Sequence, residues 1–183
     1  MSTRQKIKWM IISVILISFC GTAYAGSQER SIIASYLFGI PLEEIDEATT
    51  GPGTGGVNYD YNTWGVDASG TCDGYENGHA GLDIQSKDVA GSLTTDRTFY
   101  AISEGEVIEA GTDSYHSIII YDATLDITTL YLHVRSVDVT VGDVIEVGEA
   151  LGVQGDTGAA GSEHVHLEVR DGEQYSPACG AGA

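Results

Sequence analysis

The chain has 183 residues, with eight lysines and arginines against 27 aspartates and glutamates, and a formal net charge of −19. That balance excludes the basic footprint needed to hold nucleic acid or an anionic membrane. It fits a solvated surface in a salty or extracellular medium and carries no information about the fold.

Residues 1–25 read as a secretory signal peptide. Arg4, Lys6 and Lys8 give a positive start, residues 10–19 are apolar, and Ala23-Tyr24-Ala25 is an A-x-A cleavage site. The apolar stretch falls short of the ~20 residues that span a bilayer, so no stable membrane span is expected after cleavage. Removal of the leader leaves 158 residues with five basic and 27 acidic side chains, a net charge of −22. That length is one domain's worth of chain. Its expected location is the periplasm or the extracellular medium, as a monomer. Cys72 and Cys179 are the two cysteines left. An even pair in an oxidising compartment points to a disulfide. Closing a loop of roughly 100 residues, it would contribute ~4–5 kcal/mol in the chain-entropy model.

Residues 28–48 carry spaced apolar positions and good helix formers, so one or two short helices are expected there, broken near Gly39-Ile40-Pro41. Residues 49–57, TTGPGTGGV, read as a loop, and 58–78 as irregular chain that wraps on the main body. From about residue 98, short β-rich runs follow one another, punctuated by Gly, Asp and Ser. The fold class is therefore mostly β: an antiparallel, sandwich-like domain with one or two short N-terminal helices. A hairpin is expected through Gly111-Thr112-Asp113, and Tyr121 and Tyr131 in the core.

The run GPGTGG at 51–56 matches G-x-G-x-x-G literally. It contains Pro52, follows a helical pattern and opens no helix, so it is no dinucleotide fingerprint. The histidines carry the chemistry: His79, His116, His133, His164 and His166. His164 and His166 stand one residue apart in a β-branched run. A strand sends positions i and i+2 to the same face, so both rings enter one place. His79 opens HAGLDI, with Asp83 four residues on. Two imidazoles and a carboxylate are a normal ligand set for a catalytic Zn²⁺. The fourth tetrahedral position is left for a water whose pKa zinc lowers toward ~7. Within the pair, geometry alone does not say which histidine ligates and which handles protons. Singly, each of these residues has an ordinary reading as a surface, turn or half-buried group; together they point to one site.

GHAGLDI (78–84), YLHV (131–134) and GDTGAAGSEHVHLEVR (155–170) resemble, in order, the signatures of the lysostaphin-like, LytM-type zinc metallo-endopeptidases. The likeness covers roughly residues 75–172. It implies a peptidase that cuts peptide bonds in bacterial peptidoglycan cross-links or stems. It implies zinc held by His79, Asp83 and His166, a general base at His164, and stabilisation of the tetrahedral intermediate by His133. His116 matches no position of the pattern. HVHLE stands where HLHFE is commoner, and YLHV where YAHL is commoner; neither difference changes a polar group. The implied organisation is a signal peptide over 1–25, a helical and loop segment over 26–70, and the peptidase domain over 71–179.

Two other classes stand beside this one. Some domains of this type have lost ligands and activate other wall hydrolases, but all five motif residues are present here. Biotinyl and lipoyl carriers share hairpins such as GEVIEAG, but they need an exposed lysine at a tight turn. Lys87 is the one lysine left, and QSKDVA is not such a turn. A third alternative keeps the peptidase and changes its substrate to glycine-rich protein.

Overall fold

The structure is a computed structural model that describes residues 27–39, 56–59, 81–87, 97–159, 161 and 163–177. The leader, Cys72, Cys179, His79 and any second N-terminal helix lie outside those residues.

Helix α1 spans Ser27–Phe38. Ile33, Ala34, Leu37 and Phe38 are buried, which at spacings of one and four residues makes a single apolar face. Gly39 ends the helix with φ +60°, the left-handed position glycine fills at low cost. The expected break therefore begins where the sequence placed it.

Among the described residues ten strands follow: β1 Gly56–Tyr59, β2 Leu82–Lys87, β3 Thr98–Tyr100, β4 Gly105–Ala110, β5 Ile118–Asp122, β6 Ile127–Leu132, β7 Ser136–Val137, β8 Val144–Ile145, β9 Ala150–Val153 and β10 Val165–Asp171. Seven form one sheet in the order β1-β2-β10-β6-β5-β4-β8, and three form a second, β3-β9-β7. All pairings are antiparallel. Among the described residues no helix follows residue 50, and none is long and apolar enough to cross a membrane. The mostly β expectation holds, and β4 and β5 form the hairpin through Gly111.

Two readings need correction. Residues 56–59 are a strand paired with β2, not loop and irregular chain; their Gly, Asn and Tyr composition hides a segment held by its ladder bonds. Tyr131 is fully buried, but Tyr121 is half-buried. Its hydroxyl donates to Asp126 Oδ1 at 2.8 Å at the sheet's outer surface.

The large sheet has two distinct faces. Ile84, Ile118, Ile120, Tyr131, Val165 and Leu167 point one way and join Phe99, Leu151 and the apolar face of α1 in the main core. Full burial of each such side chain contributes roughly 1.5–3 kcal/mol relative to leaving it in water. Tyr131 enters this core with its polar end satisfied, because its hydroxyl accepts from Ile102 N at 2.9 Å. Ile119, Leu130 and Leu132 point the other way and form a second, smaller cluster with Ile108 and Tyr115. That second face carries the polar site.

Candidate active site

The site follows from register. β10 lies between β2 and β6. His166 is paired directly with Asp83 of β2 on one side and with Leu132 of β6 on the other. Directly opposed residues of an antiparallel pair share a face, so Asp83 and His166 must meet. The distance from His166 Nδ1 to Asp83 Oδ1 is 2.9 Å. His164 lies two residues earlier and projects to the same face. It is tied by a bridge to Gly155, and its Nε2 stands 3.4 Å from the same Asp83 oxygen.

His133 reaches the site by a different route. Leu130 and Leu132 already face the site side, so strict alternation would send residue 133 to the opposite face. His133 instead adopts φ +66°. That left-handed conformation costs roughly 1–2 kcal/mol for a residue with a Cβ. It ends β6 and swings the ring back, to 4.6 Å from the His164 ring and 5.9 Å from that of His166 between centroids. Two bonds hold it there. The backbone N–H donates to Tyr115 O at 2.9 Å, and ring Nδ1 donates to Thr157 O at 2.7 Å. A carbonyl only accepts, so Nδ1 carries the proton and neutral His133 presents a bare Nε2. Burial favours that neutral form and, with the neighbouring histidines, lowers its pKa to about 4 against the Thr157 bond.

Glu168 completes the group, and the sequence reading passed over it. It is two residues beyond His166 on β10, and its Oε1 accepts from His166 Nε2 at 3.1 Å. Both side chains are 1% exposed. A carboxylate buried this deeply is costly without a partner. The signal was available, since the alternation that joins His164 to His166 runs on to Glu168. In the metal-free protein both ring nitrogens of His166 face carboxylates. Burial opposes the charged ring, but the bonds to Asp83 and Glu168 outweigh it and raise the pKa to about 9. Close packing fixes the ring: a Cβ added at Gly81 would fall 2.5 Å from His166 Nε2 and 2.7 Å from Leu167 O.

The donor set suits zinc. Two ligands of a tetrahedral zinc at ~2.0–2.1 Å stand roughly 3.3 Å apart, within a few tenths of the Asp83–His166 distance. With Nε2 committed to Glu168, the nitrogen left for a cation is Nδ1, the one facing Asp83. Among the described residues no three His, Cys, Asp or Glu side chains form a metal-holding group. The third ligand expected from the sequence, His79, lies outside them. Four of the five site residues named from the sequence, Asp83, His133, His164 and His166, do come together. His116 is half-buried, with its Nδ1 2.7 Å from Val134 O, the carbonyl of the residue after His133.

Solved structures and a family profile resemble this chain. The catalytic domain of the antimicrobial peptidase lysostaphin from Staphylococcus simulans is 22% identical over 67% of this chain and 86% of that one, with a TM-score of 0.51. The catalytic domain of a mutant of the prophage-encoded M23 protein EnpA from Enterococcus faecalis is 24% identical over 54% and 72%, with a TM-score of 0.46. A zinc containing peptidase from Vibrio cholerae is 24% identical over 50% of this chain but only 26% of its own length, with a TM-score of 0.42. The lysostaphin likeness extends to the fold. Residues 77–177, more than half of the chain, match the profile of Peptidase family M23. With the match spanning Asp83, His133, His164 and His166 together, the chain belongs to Peptidase family M23.

Proposed function

We propose that this chain is an exported zinc metallo-endopeptidase that cuts peptide bonds in peptidoglycan cross-links or stems. The observation that carries this reading is the meeting of Asp83, His133, His164 and His166 on one face of the large sheet, within a family M23 domain. Asp83 and His166, with His79, would hold the cation. Bound there, Zn²⁺ supplies a Lewis acid and lowers the pKa of water toward ~7.

The chain's own residues do the rest. Glu168 keeps the His166 ring in one orientation by holding Nε2, the arrangement by which outer carboxylates fix ligating histidines. His164, beside Asp83, accepts a proton during attack on the peptide carbonyl and returns it to the leaving amine. His133 faces the developing oxyanion. The tautomer of His133 favours a variant of this scheme. With Nδ1–H given to Thr157 O, Nε2 arrives without a proton. In that variant the proton His133 Nε2 donates to the oxyanion or the leaving amine is one it has first taken from the attacking water, so His133 rather than His164 is the base. A pH–rate profile separates the two: the acid limb vanishes in whichever of His133→Asn and His164→Asn removes the base.

The net negative charge and the leader-like sequence of residues 1–25 support action outside the cytoplasm on wall peptides rather than on nucleic acid. Likeness to lysostaphin, an antimicrobial peptidase, supports a wall substrate. Glycine-rich protein remains the alternative substrate, and activation of other hydrolases the alternative role. The test is metal content set beside activity. Wild type is expected to bind one zinc per chain and to solubilise purified peptidoglycan. Asp83→Asn is expected to lose both. Full wall-degrading activity in Asp83→Asn would overturn the proposal.

A further inference from the structure

His116 belongs to no signature of the family, yet it is built into the support of His133. Its φ is +52°, a left-handed conformation that strains a histidine as it strains His133. Such strain persists where the surroundings fix it, and it clusters at functional sites. The segment touches the His133 turn at two points. Tyr115 O accepts from His133 N at 2.9 Å, and His116 Nδ1 lies 2.7 Å from Val134 O. A carbonyl only accepts, so His116 donates through Nδ1–H.

Val134 O takes a second bond, from Thr157 Oγ1 at 3.0 Å. Both of its lone pairs are therefore used. The same Thr157 offers its own carbonyl to His133 Nδ1 at 2.7 Å. The result is a closed loop of bonds: from the His133 ring to Thr157 O, from Thr157 Oγ1 to Val134 O, and through the chain back to His133. His116 is the donor that pins this loop from outside, at the peptide that follows the strained residue.

We propose that His116 is a positioning residue for His133: through Val134 O and Thr157 it fixes the left-handed turn and the Nδ1–H bond that aim His133 Nε2 into the site. The catalytic consequence rests on the proposed role of His133, while the positioning itself is a property of the fold. A half-buried histidine that merely satisfies a carbonyl would be replaceable without effect on the His133 ring.

Asn and Asp separate these possibilities. Both tolerate a left-handed φ, and in Asn the amide nitrogen occupies the place of histidine Nδ1. His116→Asn therefore keeps the donor, whereas His116→Asp sets a carboxylate against Val134 O. The experiment uses the full zinc-loaded mature chain, with three readouts. These are zinc content, initial rate on purified peptidoglycan, and the hydrogen-bonded Nδ1–H resonance of His133 in ¹⁵N-histidine-labelled protein. In His116→Asn the expected result is the resonance retained and a rate within threefold of wild type. In His116→Asp it is the resonance lost to solvent exchange and a rate at least tenfold lower, with zinc still at one per chain. Thr157→Val keeps the carbonyl but removes the hydroxyl's bond to Val134 O. It is expected to weaken the resonance and the rate in the same direction, and it serves as the test if His116→Asp does not fold. Retention of the resonance in both His116→Asp and Thr157→Val would overturn the proposal, as would equal losses in His116→Asn and His116→Asp. If wild type itself released nothing from peptidoglycan, the functional proposal would fail while the resonance still decided the positioning role.

Discussion

In the metal-free protein His166 lies between two carboxylates, and this makes its stability depend on pH. The folded pKa of His166 is raised from 6.5 to about 9, with burial opposing the charge and Asp83 and Glu168 overcoming it. A raised folded pKa means that folding takes up a proton. The stabilisation is therefore complete below pH 6.5, declines as pH rises through about 9, and is absent above it. At ~1.4 kcal/mol per pH unit, the interval from 6.5 to about 9 corresponds to about 3 kcal/mol. The ring is 1% exposed, so solvent screening takes little from that figure. The assay is urea unfolding of chelator-treated protein at pH 6.5 and 9.5, wild type against His166→Asn, which cannot titrate there. Wild type is expected to lose about 3 kcal/mol more than the variant between the two pH values, other titrating groups being common to both. Added zinc is expected to reverse the trend, because a ligating nitrogen must first lose its proton. Equal pH dependence in the two proteins would refute the ion-paired His166.

Further outcomes follow from the same geometry. Glu168→Gln keeps an acceptor for His166 Nε2–H but removes the charge, and zinc affinity is expected to fall 10–100-fold, read by competition with a chromogenic chelator. His133→Asn preserves a left-handed residue and an N–H near Thr157 O but has no Nε2. Its rate on peptidoglycan is expected to drop roughly 10²–10⁴-fold, with zinc content and thermal midpoint close to wild type. Gly81→Ala forces a methyl group against the His166 ring and Leu167 O. A loss of about 1–3 kcal/mol in urea unfolding is expected, together with weaker zinc binding.

Strand alternation made most of this site legible in advance. It aligns His164 with His166, and the HAGLDI run supplies Asp83. The pairing of β2 with β10 then makes a local pattern into a contact 83 residues apart in the chain. Glu168 obeys the same alternation and was equally readable. What the sequence concealed depends on broken regularity or on distant partners. His133 enters the site only because its φ leaves the strand region, and nothing in YLHV marks that turn. His116 acquires its role from a carbonyl 18 residues away, a relation no local pattern contains. Tyr121 and Tyr131 look alike in sequence, yet one lies in the core and the other bonds Asp126 near solvent. β1 was hidden because glycine and asparagine do not announce a strand that its neighbour holds in place.

The central claim is that this site hydrolyses a peptide bond of the wall with the help of a metal. Mass spectrometry of the material released from purified peptidoglycan, with and without a zinc chelator, tests it most directly. The account predicts defined peptide-bearing fragments with a new amino terminus at one bond, absent with chelator and restored by zinc. Fragments that persist undiminished in chelator, or zinc-loaded protein that generates no new amino terminus from any wall peptide, would contradict it.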